Sequence, residues 1–133
     1  MTVEHNADEA AAAWRQLEFE IEAALPGLAV EIGDTIATAV KGRASGRPGP
    51  NAPTGDYRAS IEAAEPEVSR GQMSIEVGTD KPQGYRLEHG FDGTDSAGRA
   101  VTQPPYPHWD PGMNDAEPII DSLIETTIDK ALR

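Results

Sequence analysis

The segment EPIIDSLIETTIDKALR, residues 117–133, carries the clearest periodic pattern in the chain. Its apolar residues recur at intervals of three and four, which predicts an amphipathic helix with one buried stripe. Pro118 falls in the first turn of this predicted helix, where its missing N–H costs little, and Lys130 suits the negative end of the helix dipole. The stripe consists of Ile120, Leu123, Ile124, Ile128, Ala131 and Leu132.

A second helical region is predicted at the other end of the chain, over residues 1–41. Apolar residues lie at helical spacing in two runs, and the Pro26-Gly27 pair between the runs is expected to break or kink the helix. The first run contains Trp14, Leu17, Ile21 and Leu25, and the second contains Leu28, Ile32, Ile36 and Val40.

The segment GRASGRPGPNAPTG, residues 42–55, is predicted to be a flexible loop because it holds four glycines and three prolines. It is also the most basic part of the chain, and Arg43 and Arg47 are therefore candidate interface residues. Two interpretations remain open for this loop. It is either a solvated linker or a segment that becomes ordered against a partner.

The region 54–103 is predicted to form a short helix and a β-hairpin. Thr54 is placed to cap a helix that begins TGDYRASI. The alternating residues of QMSIEVGT predict a strand with one buried face, and Arg70-Gly71-Gln72 is the expected hairpin turn. The segment YRLEHGF, residues 85–91, also alternates and is predicted to be a third short strand or an edge segment.

The segment QPPYPHWDPG, residues 103–112, combines four prolines with Tyr106 and Trp109. It is predicted to be part of a Pro/aromatic loop, because prolines hold an extended chain and reduce the entropy lost on docking. Tyr106 and Trp109 are candidate interface residues, since stiff aromatic rings are common anchors at interfaces. The alternative is that both rings pack on the hairpin of their own subunit.

These patterns predict one domain, 1–133, of the α+β class. N-terminal helices and a C-terminal helix would pack on a small antiparallel β-sheet of two to four strands, with long Gly/Pro-rich loops. The predicted parts are a helical region 1–41, a flexible loop 42–55, a short helix and β-hairpin region 54–103, a Pro/aromatic loop 104–116 and a C-terminal helix 117–133.

The residues give little sign of catalytic chemistry. The chain has no cysteine, which excludes disulfides and thiolate nucleophiles. His89 and His108 lack the helical spacing of a zinc protease, and we find neither a phosphate-binding loop nor a nucleophile elbow. We therefore predict no catalytic, cofactor-binding or metal site, and no enzyme activity. A metal-dependent hydrolase built on His89 and His108 is the weaker alternative.

The net charge of −12 is the main global feature of the 133 residues. A surface this acidic does not coat nucleic acid, since such binding requires neutralised phosphates. It serves solubility, or it lets DNA pass without adhering to the protein. Like charge also predicts a free chain that is monomeric or weakly associated. Neither a secretion signal nor a membrane span is predicted.

The order of the segments resembles the neck, or tail-completion, proteins of long-tailed (siphovirus-type) bacteriophages, which join head to tail. The insert at 91–103 resembles the subgroup from phages of actinobacteria, whereas His89 departs from the aromatic residue that family members often carry there. The matching positions are Thr54, Gly55, Tyr57, Arg58, Ser60 and Ile61, then 77–79, then Tyr85 with 87–90, and finally 105–107.

The resemblance implies a structural virion protein, made in the host bacterial cytoplasm and located in the neck. It implies a homo-oligomeric ring, with a hexamer favoured and a dodecamer as the alternative. The ring would contact head-closure or connector proteins on one side and tail terminator or tail tube proteins on the other. Genomic double-stranded DNA would pass through it without sequence-specific binding. The alternative function is a small acidic inhibitor protein that mimics DNA.

Overall fold

The computed structural model describes the backbone of residues 3–133 and the side chains from residue 7 onward. The part of the chain that it describes has an α+β fold, as predicted. In chain order the elements are α1 (Val3–Arg43), α2 (Asp56–Ser60), β1 (Glu62–Ala63), β2 (Glu67–Ser69), β3 (Gln72–Ser74), β4 (Val77–Gly78), α3 (Gln83–His89), β5 (Phe91–Thr94), β6 (Ala100–Gln103) and α4 (Trp109–Leu132).

Pro26 was expected to break or kink the N-terminal helical region. Helix α1 instead continues through this residue without a break. The proline removes one intrahelical hydrogen bond, but the apolar stripes on either side of it face the same partner. Leu25, Leu28 and Ile32 form a buried cluster on one face of α1. Packing of this single face stabilises the helix across the proline. The side chains that pack on the cluster are Ile21, Ile36, Val68, Met73, Ile75, Ile120, Leu123 and Ile124.

Helices α1 and α4 lie antiparallel and form the main contact of the fold. Arg43 at the end of α1 pairs with Asp115 in α4, whereas Glu20 and Arg133 line one cavity at the other end. The helices are in close contact at Gly112, where an added Cβ would lie 2.7 Å from the Cα of Val40. Only glycine fits at this crossing.

The strands form three separate antiparallel pairs instead of one sheet, in the order β1-β4, β2-β3 and β5-β6. The predicted hairpin turn is confirmed between β2 and β3. Arg70 and Gly71 both have positive φ, at 52° and 76°, which is the backbone twist that a two-residue hairpin loop requires. Val68 and Met73 pair across this hairpin and pack on the α1 cluster.

The predicted strand at 85–91 is wrong, because residues 83–89 form helix α3. Gly84 and Glu88, which lie four apart, are the buried residues of this helix. Tyr85 and His89, also four apart, are in contact on its exposed side, with ring centroids 4.5 Å apart and planes tilted by 46°. The alternation in YRLEHGF extends over too few residues to distinguish a strand from a helix.

The C-terminal helix begins at Trp109, so both the predicted start at residue 117 and the predicted loop 104–116 require correction. Pro111 falls in the first turn, where N–H groups have no intrahelical acceptor. Pro118 is consequently inside the helix and not in its first turn. The hairpin β5-β6 was also not predicted, because its strands lie in a segment rich in Gly and Asp.

The loop 42–55 begins within the last turn of α1 and continues as turns and bends. Ala44, Gly49 and Pro50 are buried, and the Gly46 N–H donates to the carbonyl of Pro50 at 3.0 Å. The loop therefore has contacts of its own with the rest of the chain. Its flexibility in solution stays a prediction.

Helix α1 is also long and apolar enough, over Ala7–Arg43, to cross a membrane by length and composition alone. A core helix of a soluble protein satisfies the same criterion, and 39% of the apolar window is buried inside the fold. The packing of α1 on α4 and on two strand pairs explains the apolar face without a membrane.

We predict that Gly112→Ala lowers the free energy of unfolding by about 2 kcal/mol. The added methyl group would overlap the backbone of Val40, and overpacking of this kind outweighs a gain of about 1 kcal/mol in helix propensity. Gly27→Ala is the matched control, because an added Cβ there meets nothing within 4 Å. The control should gain about 0.5–1 kcal/mol in urea unfolding. Equal effects of the two changes would contradict the close crossing.

Candidate functional site

Four side chains from separate parts of the chain meet at the start of α4. Tyr57 comes from α2, Glu88 from α3, His108 from the residue before α4, and Trp109 from its first position. We call this cluster the His108 junction. It brings together segments that are up to 52 residues apart in the sequence.

Glu88 caps the N-terminus of α4. Its Oε1 accepts hydrogen bonds from the backbone N–H groups of His108 and Trp109, both at 2.8 Å, and its Oε2 accepts from Asp110 at 3.3 Å. The first N–H groups of a helix have no intrahelical acceptor, and His108 at the N-cap forms no side-chain cap. A carboxylate from another helix therefore supplies the cap, and it also suits the positive end of the helix dipole.

Glu88 is only 7% exposed, and burial on its own would raise the pKa of its carboxyl group. The three backbone hydrogen bonds and the neighbouring His108 outweigh burial and hold the pKa of Glu88 below its ordinary value. The group is thus ionised at neutral pH, and its charge contributes to the stability of the fold.

His108 is fully buried, and its contacts define the positions of its protons. Its Nδ1 lies 2.9 Å from the carbonyl oxygen of Tyr106 and 3.2 Å from Oε1 of Glu88. Both oxygens act as acceptors, so Nδ1 carries the proton. In the neutral ring Nε2 then accepts from the hydroxyl of Tyr57, which lies 2.6 Å away.

Tyr57 completes a directed chain of hydrogen bonds through the junction. Its hydroxyl oxygen accepts from the indole Nε1 of Trp109 at 3.4 Å and donates its own proton to His108. Across the described residues, every buried side-chain nitrogen and oxygen has a partner. Such a fully satisfied polar cluster stabilises one arrangement of the three helices.

The order carboxylate, histidine, hydroxyl is the same as in a catalytic triad, but its environment favours a structural role. A nucleophile needs a lowered pKa or exposure to substrate. Burial raises the pKa of Tyr57 and outweighs the lowering by the hydrogen bond from Trp109, and the charge of Glu88 raises this pKa further. The phenol is therefore held in its protonated form, and the chemistry of the junction is hydrogen bonding between α2, α3 and α4.

The two histidines that suggested a metal site lie in different surroundings. Both ring nitrogens of His108 already have partners, whereas His89 is exposed beside Tyr85. Within the described part of the chain, no group of three or more His, Cys, Asp or Glu side chains is arranged to hold a metal ion.

The structure places the four candidate interface residues in three environments. Arg43 forms a two-point ion pair with Asp115 at 2.6 and 2.7 Å, and these hydrogen bonds lower the pKa of Asp115. Arg47 lies over the ring of Tyr106, with its guanidinium carbon 3.7 Å from the ring centroid. Arg43 and Arg47 are thus both exposed but have different partners, and Arg47 is in contact with the candidate Tyr106.

The ring of Trp109 lies on the side of the His108 junction that faces the interior of the fold. It is half-buried and packs against a cluster of Val40, Ala44 and Ile61. Packing of this ring on its own subunit is therefore the interpretation that the contacts favour for Trp109. Tyr106 differs, because its ring is covered by the side chain of the exposed Arg47.

Sequence reasoning did not identify Glu88 as the residue that caps α4. The available signal was indirect, because a helix that begins at Trp109 has no Ser, Thr, Asp or Asn at its N-cap position. Because the sequence pattern predicted that the helix starts at residue 117, the lack of a capping side chain at residue 108 was not apparent. The 20-residue separation between Glu88 and His108 leaves no local pattern to detect.

Comparison of this chain with protein family models, with curated proteins and with solved structures finds no match.

We predict that Glu88→Gln lowers the free energy of unfolding at pH 7 by about 2 kcal/mol, because three N–H donors lose a charged acceptor. The lowered pKa of Glu88 stabilises the native state above the unfolded value of about 4.3. This contribution is lost as the pH falls through the folded pKa, so the two proteins should converge in acid. Glu62→Gln, an exposed carboxylate, is the control. A constant difference from pH 7 down to acid would contradict the charged cap.

A second prediction separates the two aromatic residues of the 103–112 segment. Trp109→Ala should lower the free energy of unfolding by about 3 kcal/mol, since it empties part of the core and removes a donor to Tyr57. Tyr106→Ala should cost about 1 kcal/mol, because its ring contacts an exposed arginine. Denaturant unfolding of both variants measures the difference. Equal losses would show that the two rings have the same role.

Proposed function

We propose that this chain is a structural subunit of the neck of a long-tailed bacteriophage, where copies form a ring that joins the DNA-filled head to the tail. One observation carries the proposal. The segments through which the sequence resembles neck proteins lie together in space. Tyr57 and Glu88 meet at His108, and Thr79 hydrogen-bonds to Ser60 at 2.6 Å. The resemblance therefore concerns one structural unit and not a set of separate short matches.

The proposed work of this unit is mechanical. It fixes the start of α4 relative to α2 and α3 with a buried, fully paired set of polar groups. A subunit that couples two large assemblies needs such a rigid body, and this role requires no reacting group. Packing on the α1 cluster extends the rigid body along α4 as far as Ile124.

Exposed apolar side chains support an assembly role. Trp14 and Phe19 are 69% and 68% exposed, and both lie near the N-terminal end of α1. Large rings exposed in this way are available for a contact with another protein, since aromatic side chains are common anchors at interfaces. Sixfold symmetry is favoured for the ring because it matches a tail tube, and twelvefold symmetry would match a portal. Head-closure and tail terminator or tail tube proteins are the proposed neighbours.

An acidic row on α4 suits the wall of a DNA channel. Glu117, Asp121, Glu125 and Asp129 lie four apart, and all four are exposed. Carboxylates repel phosphates, so DNA would pass such a surface without being held. Cations in the same position would bind DNA with an affinity that depends on salt. This row is therefore the surface that we assign to the channel.

The proposal is tested by joining heads to tails outside the cell. A phage that lacks the gene for this chain should accumulate full heads and complete tails that remain separate. The purified protein should restore joined, infectious particles when it is added to that mixture. The same protein unfolded by heat is the control. Joined particles made without the gene would overturn the proposed function.

A further inference from the structure

Part of α1 extends beyond the helix that covers it. Because α1 and α4 are antiparallel and Glu20 lies near Arg133, α4 covers α1 only as far as about residue 20 among the described residues. Residues 7–19, which we call the arm, continue as helix for about 20 Å. Apart from the half-buried Leu17, the residues of the arm are exposed.

Trp14 continues the buried stripe of α1 onto the arm. It lies 11 residues before Leu25 and 14 before Leu28, which places it on the same helix face at about 100° per residue. The stripe is packed by α4 and the β2-β3 hairpin near Leu25 and Leu28, whereas Trp14 is 69% exposed. The arm thus presents an apolar anchor that its own subunit leaves uncovered.

A groove between α1 and α4 lies close to the arm. It has a cavity of about 500 Å³, and Ala24, Gly27 and Ala131 are among the small residues that line it. A Cβ added at Gly27 would meet nothing within 4 Å, so the groove is open at this residue. Lys130 and Arg133 line the α4 side of the groove, whereas Glu20 and Glu31 line its α1 side. We call this surface the Gly27 groove.

The arm cannot fill the groove of its own subunit. Trp14 and Gly27 are 13 residues apart on one continuous helix, which separates them by about 20 Å along the axis and about 140° around it. An arm that docks in this groove must therefore come from a second copy. The arm presents an exposed indole, and Glu18, one turn away on the same face, complements Lys130 and Arg133 on the α4 side of the groove.

We propose that the arm of one copy docks in the Gly27 groove of the next copy, with Trp14 as the anchor. Because the arm and the groove face different directions, each copy meets two different neighbours. Such head-to-tail contacts close into a ring when the rotation permits. The inference rests on the proposed function in one respect, since it supplies the contact between copies that a neck ring requires. The charge of −12 makes the contact weak at low salt.

Cross-linking tests the contact directly, because the chain has no cysteine of its own. Ala10→Cys on the arm and Thr126→Cys in the groove are made in separate proteins, mixed at high concentration and salt, and treated with a short bismaleimide. A cross-link between the two variants is expected. Ala10→Cys mixed with Ser96→Cys, in the exposed β5-β6 turn, is the matched control and should give none. No product from the first pair would overturn the inference.

Two further variants test the anchor and the groove. Gly27→Leu places a larger side chain in the groove at a position where its Cβ meets nothing within 4 Å, and Trp14→Ala removes the anchor. Each should reduce the cross-linked product at least about tenfold while the circular dichroism spectrum is unchanged. Tyr85→Ala, which removes another aromatic that is 75% exposed, is the control and should have no effect. Undiminished cross-linking in both Gly27→Leu and Trp14→Ala would overturn the docking mode.

A protein with both cysteines distinguishes a ring from a mutual pair. Head-to-tail docking predicts a ladder of products that ends at one closed size, whereas a product that stops at the dimer would overturn the proposal. The outcome is independent of the head–tail joining assay. A ladder in a protein that fails to join heads to tails would support the contact and reject the neck function. If heads and tails join but no arm–groove product forms, the neck function is supported and the proposed contact between copies is rejected.

Discussion

The fold depends on the carboxylate of Glu88 at the start of α4. Three successive N–H groups at this helix end need acceptors, and the residue at the N-cap forms no side-chain cap. One buried charge from α3 meets that need and brings His108 against Tyr57. Removing the carboxylate would leave donors unpaired, so the position of α4 relative to α2 and α3 is set by this interaction.

Two glycines show how the packing of α1 on α4 differs along the pair. At Gly112 the helices are so close that a methyl group would overlap the backbone of Val40, and this end is further secured by Arg43 and Asp115. At Gly27, toward the other end, an added Cβ would meet nothing. The fold is therefore tightly packed beside the junction and open beside the arm, where the proposed docking contact lies.

Local patterns predicted the elements that depend on local interactions. The helix over residues 117–133 and the turn at Arg70-Gly71 are confirmed. Only the first part of the predicted stripe packs on the core, through Ile120, Leu123 and Ile124, whereas Ile128 and Leu132 are exposed. The start of α4 could not be predicted, because its cap comes from a residue far away in the sequence. Helix α3 was missed since its buried pair, Gly84 and Glu88, shows its role only through contacts with other elements. For the same reason the sequence could name Tyr106 and Trp109 as anchors but could not tell which ring packs inward.

Electron cryomicroscopy of intact particles tests the neck function most directly. The account predicts a ring of this chain between head and tail, with the acidic row of α4 on the inner wall. A neck in which no density fits the chain would contradict the account. An inner wall formed chiefly by Arg43, Arg47 and Arg58 would contradict the assignment of the channel surface, because these cations would hold DNA where it has to pass.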